Sequence, residues 1–203
     1  MILSLLTLDL SSPSVRQCLL DAQDLHRTIM KAFDHSRQEE EVLYRLIRSR
    51  EKIQIYVQSR SVPEWDRIDS CGFHCEKTKD ISLLSESFMK DQVLRFKLLS
   101  CPTKKVAGEG KNSRRVLLRG EEEQLKWLER QGEKYGFNVI EAHIAEKTEL
   151  RSGKKASGAF AVAGVPFEGV LRICDPAAFK DAFEKGIGPE KAYGYGLLMV
   201  SKA

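Results

Sequence analysis

Apolar and polar residues alternate at the start of the chain, ILSLLTLD (2–9), a period of two that predicts a strand with one buried face. The period then lengthens. From 14 to 34 apolar residues recur at three- and four-residue spacings, which predicts a helix; 42–47 and 53–59 return to short strands, 63–71 reads as a short helix and 73–80 as a further strand. That order, βαββαβ, is a ferredoxin-like unit. A linker-like passage near 80–91 follows, and the order repeats. VLRFKLL (93–99) alternates, EEEQLKWLERQGEKYG (121–136) is helical, FNVIEAHIAEK (137–147) and VPFEGVLRIC (165–174) supply strands, DPAAFKDAFEKG (175–186) is a helix, and GLLMVS (196–201) closes as a strand. The halves share this order and not their residues. The pattern therefore predicts an α+β chain of two tandem ferredoxin-like domains, 1–85 and 92–203.

Composition changes this picture little. The hydrophobic fraction of 42% and charged fraction of 31% suit a globular protein. No apolar run approaches the roughly 20 residues of a membrane span. The opening MILSLLTLDLSS has neither a basic leader nor a small-residue cleavage site, so it reads as the first strand of a cytoplasmic protein. The cysteines, Cys18, Cys71, Cys75, Cys101 and Cys174, are odd in number and scattered, unlike a disulfide framework. Cys71, His74 and Cys75 have poor zinc spacing, no acidic cluster looks like a two-metal site, and no metal is expected.

Charge is informative through its distribution. The net charge of +4 makes a weak case for a polyanionic partner. Between Pro102 and Arg119, however, Lys104, Lys105, Lys111, Arg114, Arg115 and Arg119 face only Glu109, in what reads as a basic loop leading into a short strand, RRVLL (114–118). Arg151, Lys154 and Lys155 form a second cluster beside Gly153 and Gly158, at an expected hairpin tip. Such runs are ordinarily solvated faces; two of them suggest a directed surface without naming the polyanion.

Two stretches carry candidate chemistry. GIGPEKAYGYGLL (186–198) follows a helix marked by Asp175 and Pro176 and precedes a strand. A dinucleotide loop needs the opposite order, and a Walker loop needs Ser or Thr after the lysine, which Lys191 lacks. Two readings remain: glycines that let the backbone approach a ligand, or two tight turns feeding an edge strand. The second stretch is DAQDLHRTIMKAFD (21–34), where Asp21 can cap the helix with Asp24 three positions on. At about 100° per residue, Ala22, Leu25, Ile29, Ala32 and Phe33 share a core arc. Gln23, Arg27, Lys31 and Asp34 fall opposite, and His26 lies on the border beside Met30 and Phe33. A border imidazole with an ordinary pKa of about 6.5 has both protonation forms within reach. Lone helical histidines are commonly structural; Arg27 and Lys31 favour a phosphate-binding role here.

In these residues the chain resembles the CasE family, the CRISPR repeat-RNA endoribonucleases of type I-E systems. The likeness spans nearly the whole length: the opening strand, DLHRTIMKAF (24–33), VLRFKLLSCPTK (93–104), KWLERQGEKYGF (126–137), FEGVLRICDPAAF (167–179) and, most specifically, GIGPEKAYGYGLLMV (186–200). The resemblance implies two RRM-like domains that bind the stem-loop of a CRISPR repeat and cut at the 3′ base of the stem without metal or cofactor. The 2′-hydroxyl would attack the adjacent phosphate, leaving 2′,3′-cyclic phosphate and 5′-hydroxyl ends. The protein would then stay on the crRNA among other Cascade subunits, with no DNA bound by the isolated chain.

Roles follow from the same likeness. His26 would move the proton, with Lys31 and Arg27 stabilising the developing charge. Gln23 stands where family members commonly carry tyrosine; its amide can hydrogen-bond ribose or phosphate and cannot donate a phenolic proton. The alternative is accordingly a repeat-RNA binding subunit with weak or no cleavage. Cys101, where the family tends to have asparagine, bears on loop conformation. Arg151, Lys154 and Lys155 would dock against the stem, Lys104, Lys105, Arg114 and Arg115 would meet phosphates, and Gly186, Gly188, Lys191, Gly194 and Gly196 would lie along the RNA backbone near the cut. Tyr56, Phe96 and Phe160 lie on strands without an RNP pattern, so stem-loop binding is expected rather than single-strand stacking.

Overall fold

The alternation at the start of the chain is realised in β1 (Ile2–Leu8), which buries Ser4, Leu6 and Leu8 on one face. The computed structural model describes residues 1–107, 113–145, 149–155 and 158–203. In it, β1 sits inside a four-stranded antiparallel sheet with β2 (Leu43–Arg48), β3 (Ile53–Ser59) and β4 (Phe73–Asp80), ordered β2-β3-β1-β4. With the helices between these strands, that order is the ferredoxin-like arrangement.

The helix predicted over 14–34 is two helices, α1 (Pro13–Leu20) and α2 (Ala22–Met30). The apolar period runs unbroken through the junction, and the local chemistry of Asp21 overrides it. Asp21 is extended (φ −126°, ψ 110°), and its carboxylate accepts from the backbone N–H groups of Gln23 at 2.8 Å and Asp24 at 3.4 Å. It thus satisfies donors that a helix start leaves orphaned. Val15, Leu25 and Ile29 pack on Leu6, Ile55, Val57 and Phe73 to form the first core. The helix predicted over 63–71 shrinks to α3 (Asp66–Asp69), and the linker-like passage holds a short α4 (Ser82–Glu86).

The second half repeats the topology with two additions. Its sheet is ordered β11-β5-β10-β8, from β11 (Leu198–Lys202), β5 (Val93–Ser100), β10 (Gly158–Ile173) and β8 (Phe137–Ile144). Helices α5 (Glu121–Lys134) and α6 (Pro176–Lys185) connect it, the latter capped by Asp175 with Pro176 in its first turn. The core joins Leu98, Trp127, Phe137, Phe167 and Phe179, where each large ring taken fully out of water contributes about 1.5–3 kcal/mol.

The first addition corrects the expected basic loop. Thr103–Ala107 (β6) and Ser113–Leu117 (β7) pair as a two-stranded ribbon, so Lys104 and Lys105 lie on a strand. The second is β9 (Glu149–Lys155), which pairs with the first half of β10; that strand begins at Gly158, well before the predicted 165.

A third apolar cluster joins the halves. Ala22 of α2 packs with Leu99, Cys101, Tyr193 and Tyr195. Polar contacts reinforce it: Tyr44 Oη donates to the Ala192 carbonyl at 2.7 Å, and Gln58 Nε2 to the Phe183 carbonyl at 2.8 Å. Among the described residues, no helix is long and apolar enough to cross a membrane.

Candidate active site and nucleic-acid interface

The glycine loop packs against α2 at this junction. Beyond α6 it turns at Gly186 (φ +77°) and Gly188 (φ +90°), makes one 3₁₀ turn over Lys191–Tyr193, and leaves through Gly194 (φ +81°) and Gly196 (φ +91°). These angles favour glycine. The close approach they permit is to protein. A Cβ on Gly194 would lie 2.6 Å from Arg151 Nη1 and 2.8 Å from the Tyr44 ring, and one on Gly196 would lie 2.9 Å from the Ile187 carbonyl oxygen. Gly186, Gly194 and Gly196 are buried and Gly188 is half-buried. The tight-turn reading accounts for these contacts with the protein.

His26 is half-buried on α2, and its Nδ1 is buried with no hydrogen-bond partner among the described residues. Loss of water pushes its pKa below the ordinary 6.5, and the positive charges of Arg37 and Arg27 push it further down. The imidazole is therefore neutral at pH 7, a form that can accept a proton. Lys191 is likewise depressed below the ordinary lysine range, first by burial, then by the charges of Arg37 and Lys134. Arg37, half-buried and donating Nη1 to the Val42 carbonyl at 3.3 Å, thus acts on both His26 and Lys191. A cluster of mutually repelling, partly desolvated cations is a place where an anion is stabilised.

A groove of about 430 Å³ continues from the loop, lined by Lys105, Arg115, Trp127, Lys134, Gly188 and Pro189. The ribbon register sets Lys105 opposite Arg115, so their charges face one another across the strands. The groove's cations, Lys105, Arg115 and Lys134, suit a phosphate backbone.

The expected site residues divide accordingly. His26, Gln23 and Lys191 come to the junction. Gln23, expected on the polar arc, is half-buried, and its Oε1 accepts a hydrogen bond from Tyr193 Oη at 3.1 Å. Arg27 is exposed and pairs with Asp24 at 3.4 Å. Lys31 is exposed just beyond α2, and its charge is not among those that shift His26. Lys104 is engaged by Glu123 at 3.1 Å, while Lys105 and Arg115 line the groove. Arg151, expected at an exposed tip, is half-buried on β9 with its guanidinium 5.4 Å from the Tyr195 ring. The side chains of Arg114, Lys154 and Lys155 lie outside the described residues. Cys101 is buried, which pushes its thiol up to about 11. His74 Nδ1 is 2.7 Å from Asp69, and the described residues contain no metal-ligating group of three or more His, Cys, Asp or Glu.

Arg37, Lys134 and Tyr193 escaped the sequence reading. Arg37 lies in an acid-rich turn and Lys134 at the end of a charged helix, where neither has a distinguishing local pattern.

A family model described as CRISPR associated protein matches residues 1–202. The CRISPR-associated endoribonuclease Cse3 of Thermus thermophilus is 32% identical over 214 residues, covering 98% of this chain and 99% of that protein. The CRISPR system Cascade subunit CasE of Escherichia coli is 42% identical over 90 residues, 43% of each chain. This chain belongs to the CasE family of CRISPR-associated proteins. Among solved members, Thermus thermophilus Cse3 bound to an RNA representing a pre-cleavage complex superposes with a TM-score of 0.87 at 30% identity, with 98% of both chains covered. The likeness embraces both sheets, so the two ferredoxin-like halves are common to these family members.

Proposed function

We propose that this chain is a metal-independent endoribonuclease of the cytoplasm that binds the stem-loop of a CRISPR repeat and cuts at the 3′ base of the stem. The carrying observation is the half-buried His26 on α2, its Nδ1 buried with no hydrogen-bond partner among the described residues, on the helix against which the glycine loop packs; in this reading the units it lies between are 1–85 and 92–203. Relatives named as an endoribonuclease, as bound to RNA in a pre-cleavage complex, and as a Cascade subunit support the substrate class and the later association with Cascade.

The reaction needs a proton acceptor and a fixed positive field. His26 takes the proton of the 2′-hydroxyl, a contribution worth about 10²- to 10⁴-fold in rate. The 2′-oxygen bonds to the adjacent phosphorus as the P–O5′ bond breaks. The products are a 2′,3′-cyclic phosphate and a 5′-hydroxyl, the latter receiving its proton from the imidazolium. Arg37 and Lys191 offset the negative charge that develops on the phosphorane, and Lys31 and Arg27 attract the RNA from the exposed side of α2. Gln23 hydrogen-bonds the ribose or a phosphate oxygen. Lys105, Arg115 and Lys134 hold the stem's phosphates, since an A-form stem is met mainly through its shape and backbone.

The absence of an ionisable proton on Gln23 keeps a second reading in view, a binding subunit with little or no cleavage. His26→Ala separates the two. Measured with a labelled hairpin of the cognate repeat, the variant is expected to keep its affinity and lose at least about 100-fold in cleavage rate. Equal rates in variant and wild type would remove His26 from the reaction.

A further inference from the structure

We infer that Tyr193 is a positioning residue for the cleavage step, acting through Gln23; the inference rests on the assignment of the active site to α2. Tyr193 Oη donates to Gln23 Oε1 at 3.1 Å, joining groups 170 residues apart in sequence. Gln23 and His26 are three positions apart on one helix, so the amide and the imidazole share a side of it, one turn apart. Tyr193 ends the 3₁₀ turn that begins at Lys191. This hydrogen bond therefore ties the backbone carrying the Lys191 cation to the helix carrying the proton acceptor.

The bond sets two things at once. It fixes the distance between the loop and α2, and it orients the amide. With Oε1 engaged by the phenol, both N–H groups of Nε2 are left to donate to a ribose or phosphate oxygen. The tyrosine is itself held before RNA arrives. Only 4% of its surface is exposed, and its ring centroid lies 4.6 Å from that of Phe160. The preceding residue's carbonyl, on Ala192, accepts the Tyr44 hydroxyl. Groups locked by such supports keep a reacting constellation within the tolerance that catalysis requires.

Packing alone does not call for the hydroxyl. The ring packs among Ala22, Leu99, Cys101 and Tyr195, where phenylalanine would bury as much surface. A buried phenol needs a polar partner, and the amide one helical turn before His26 supplies one.

The test is a double-mutant cycle of Tyr193→Phe and Gln23→Ala, with single-turnover cleavage of the cognate repeat hairpin, RNA Kd and melting temperature measured for each protein. Tyr193→Phe is expected to slow cleavage by about 5- to 30-fold at saturating protein, with Kd within about twofold of wild type. In the Gln23→Ala background the same change is expected to cost less than about twofold, because its route of action is gone. Wild-type cleavage by Tyr193→Phe, an equal loss in both backgrounds, or a rate loss that merely follows weaker binding and a lower melting temperature would each overturn the inference. A wild-type protein that binds this hairpin without cutting it would overturn the active-site assignment and the inference together.

Discussion

Alanine at Gly188 tests whether the glycine loop is shaped by the protein against which it packs. Gly188 has φ +90°, and its missing Cβ would lie 2.3 Å from Ser100 Oγ and 3.2 Å from Trp127 Cη2. The left-handed conformation costs an L-residue about 1–2 kcal/mol. Ser100 is fully buried and donates to the Ile187 carbonyl at 2.8 Å, so driving its hydroxyl aside breaks a buried hydrogen bond at a cost of about 1–3 kcal/mol. The sum, about 2–5 kcal/mol, is a large part of an ordinary domain's stability of about 5–15 kcal/mol. Gly158 is the control: its φ of +117° is also left-handed, but nothing lies within 4 Å of its Cβ position. Gly158→Ala incurs the backbone strain without the collision. In thermal unfolding, Gly188→Ala is expected to melt lower than Gly158→Ala by the packing difference, at about 2–4 °C per kcal/mol. Equal melting temperatures, or a higher one for Gly188→Ala, would refute the reasoning.

Two further expectations concern the site. Burial and the charges of Arg37 and Arg27 hold the folded-state pKa of His26 below 6.5, so the neutral form that the proposed mechanism uses persists to lower pH than in an isolated histidine; kcat/KM should fall only as pH drops through a midpoint below 6.5, and a midpoint at or above it would contradict the desolvated site. Stability follows the same sign: the unfolded chain binds the His26 proton first, so this group's contribution declines as pH falls from about 6.5 toward the folded pKa, and chemical denaturation of His26→Gln should show a shallower acid slope. Replacing Lys105, Arg115 and Lys134 together by Gln should weaken hairpin binding and reduce the slope of log K against log salt by about 0.7–0.9 for each phosphate no longer neutralised, whereas Lys104→Gln, already engaged by Glu123, should change the slope less; an unchanged slope in the triple variant would place the RNA elsewhere.

The order of elements was readable because alternation and helical spacing are local properties. Leu6 and Leu8 bury as their period demands, and the Asp175–Pro176 start of α6 lies where its capping chemistry puts it. The same locality explains the errors. The apolar spacing through Val15, Cys18, Ala22 and Leu25 does not register that Asp21 caps a new helix, and the cation-rich passage after Pro102 reads as loop because its cross-strand partners supply the order. Of the proposed site, His26 was readable, because a polar group there borders a core arc. Arg37, Lys134 and Tyr193 were not readable, because the contacts that recommend them arise only when the second half folds against α2. The glycines illustrate the limit most directly: their density signalled close approach, and only the fold shows that Ser100, Tyr44, Arg151 and the Ile187 backbone are what they approach.

The most direct test of the central claim is single-turnover cleavage of the cognate repeat hairpin by the wild-type protein in EDTA, with a matched hairpin carrying a 2′-deoxy ribose at the 3′ base of the stem. A single cut at that position, ending in a 2′,3′-cyclic phosphate and abolished by the 2′-deoxy change, is the predicted result. Cleavage that requires added metal, or that proceeds on the 2′-deoxy hairpin, would contradict a reaction run by the RNA's own hydroxyl and the neutral imidazole of His26.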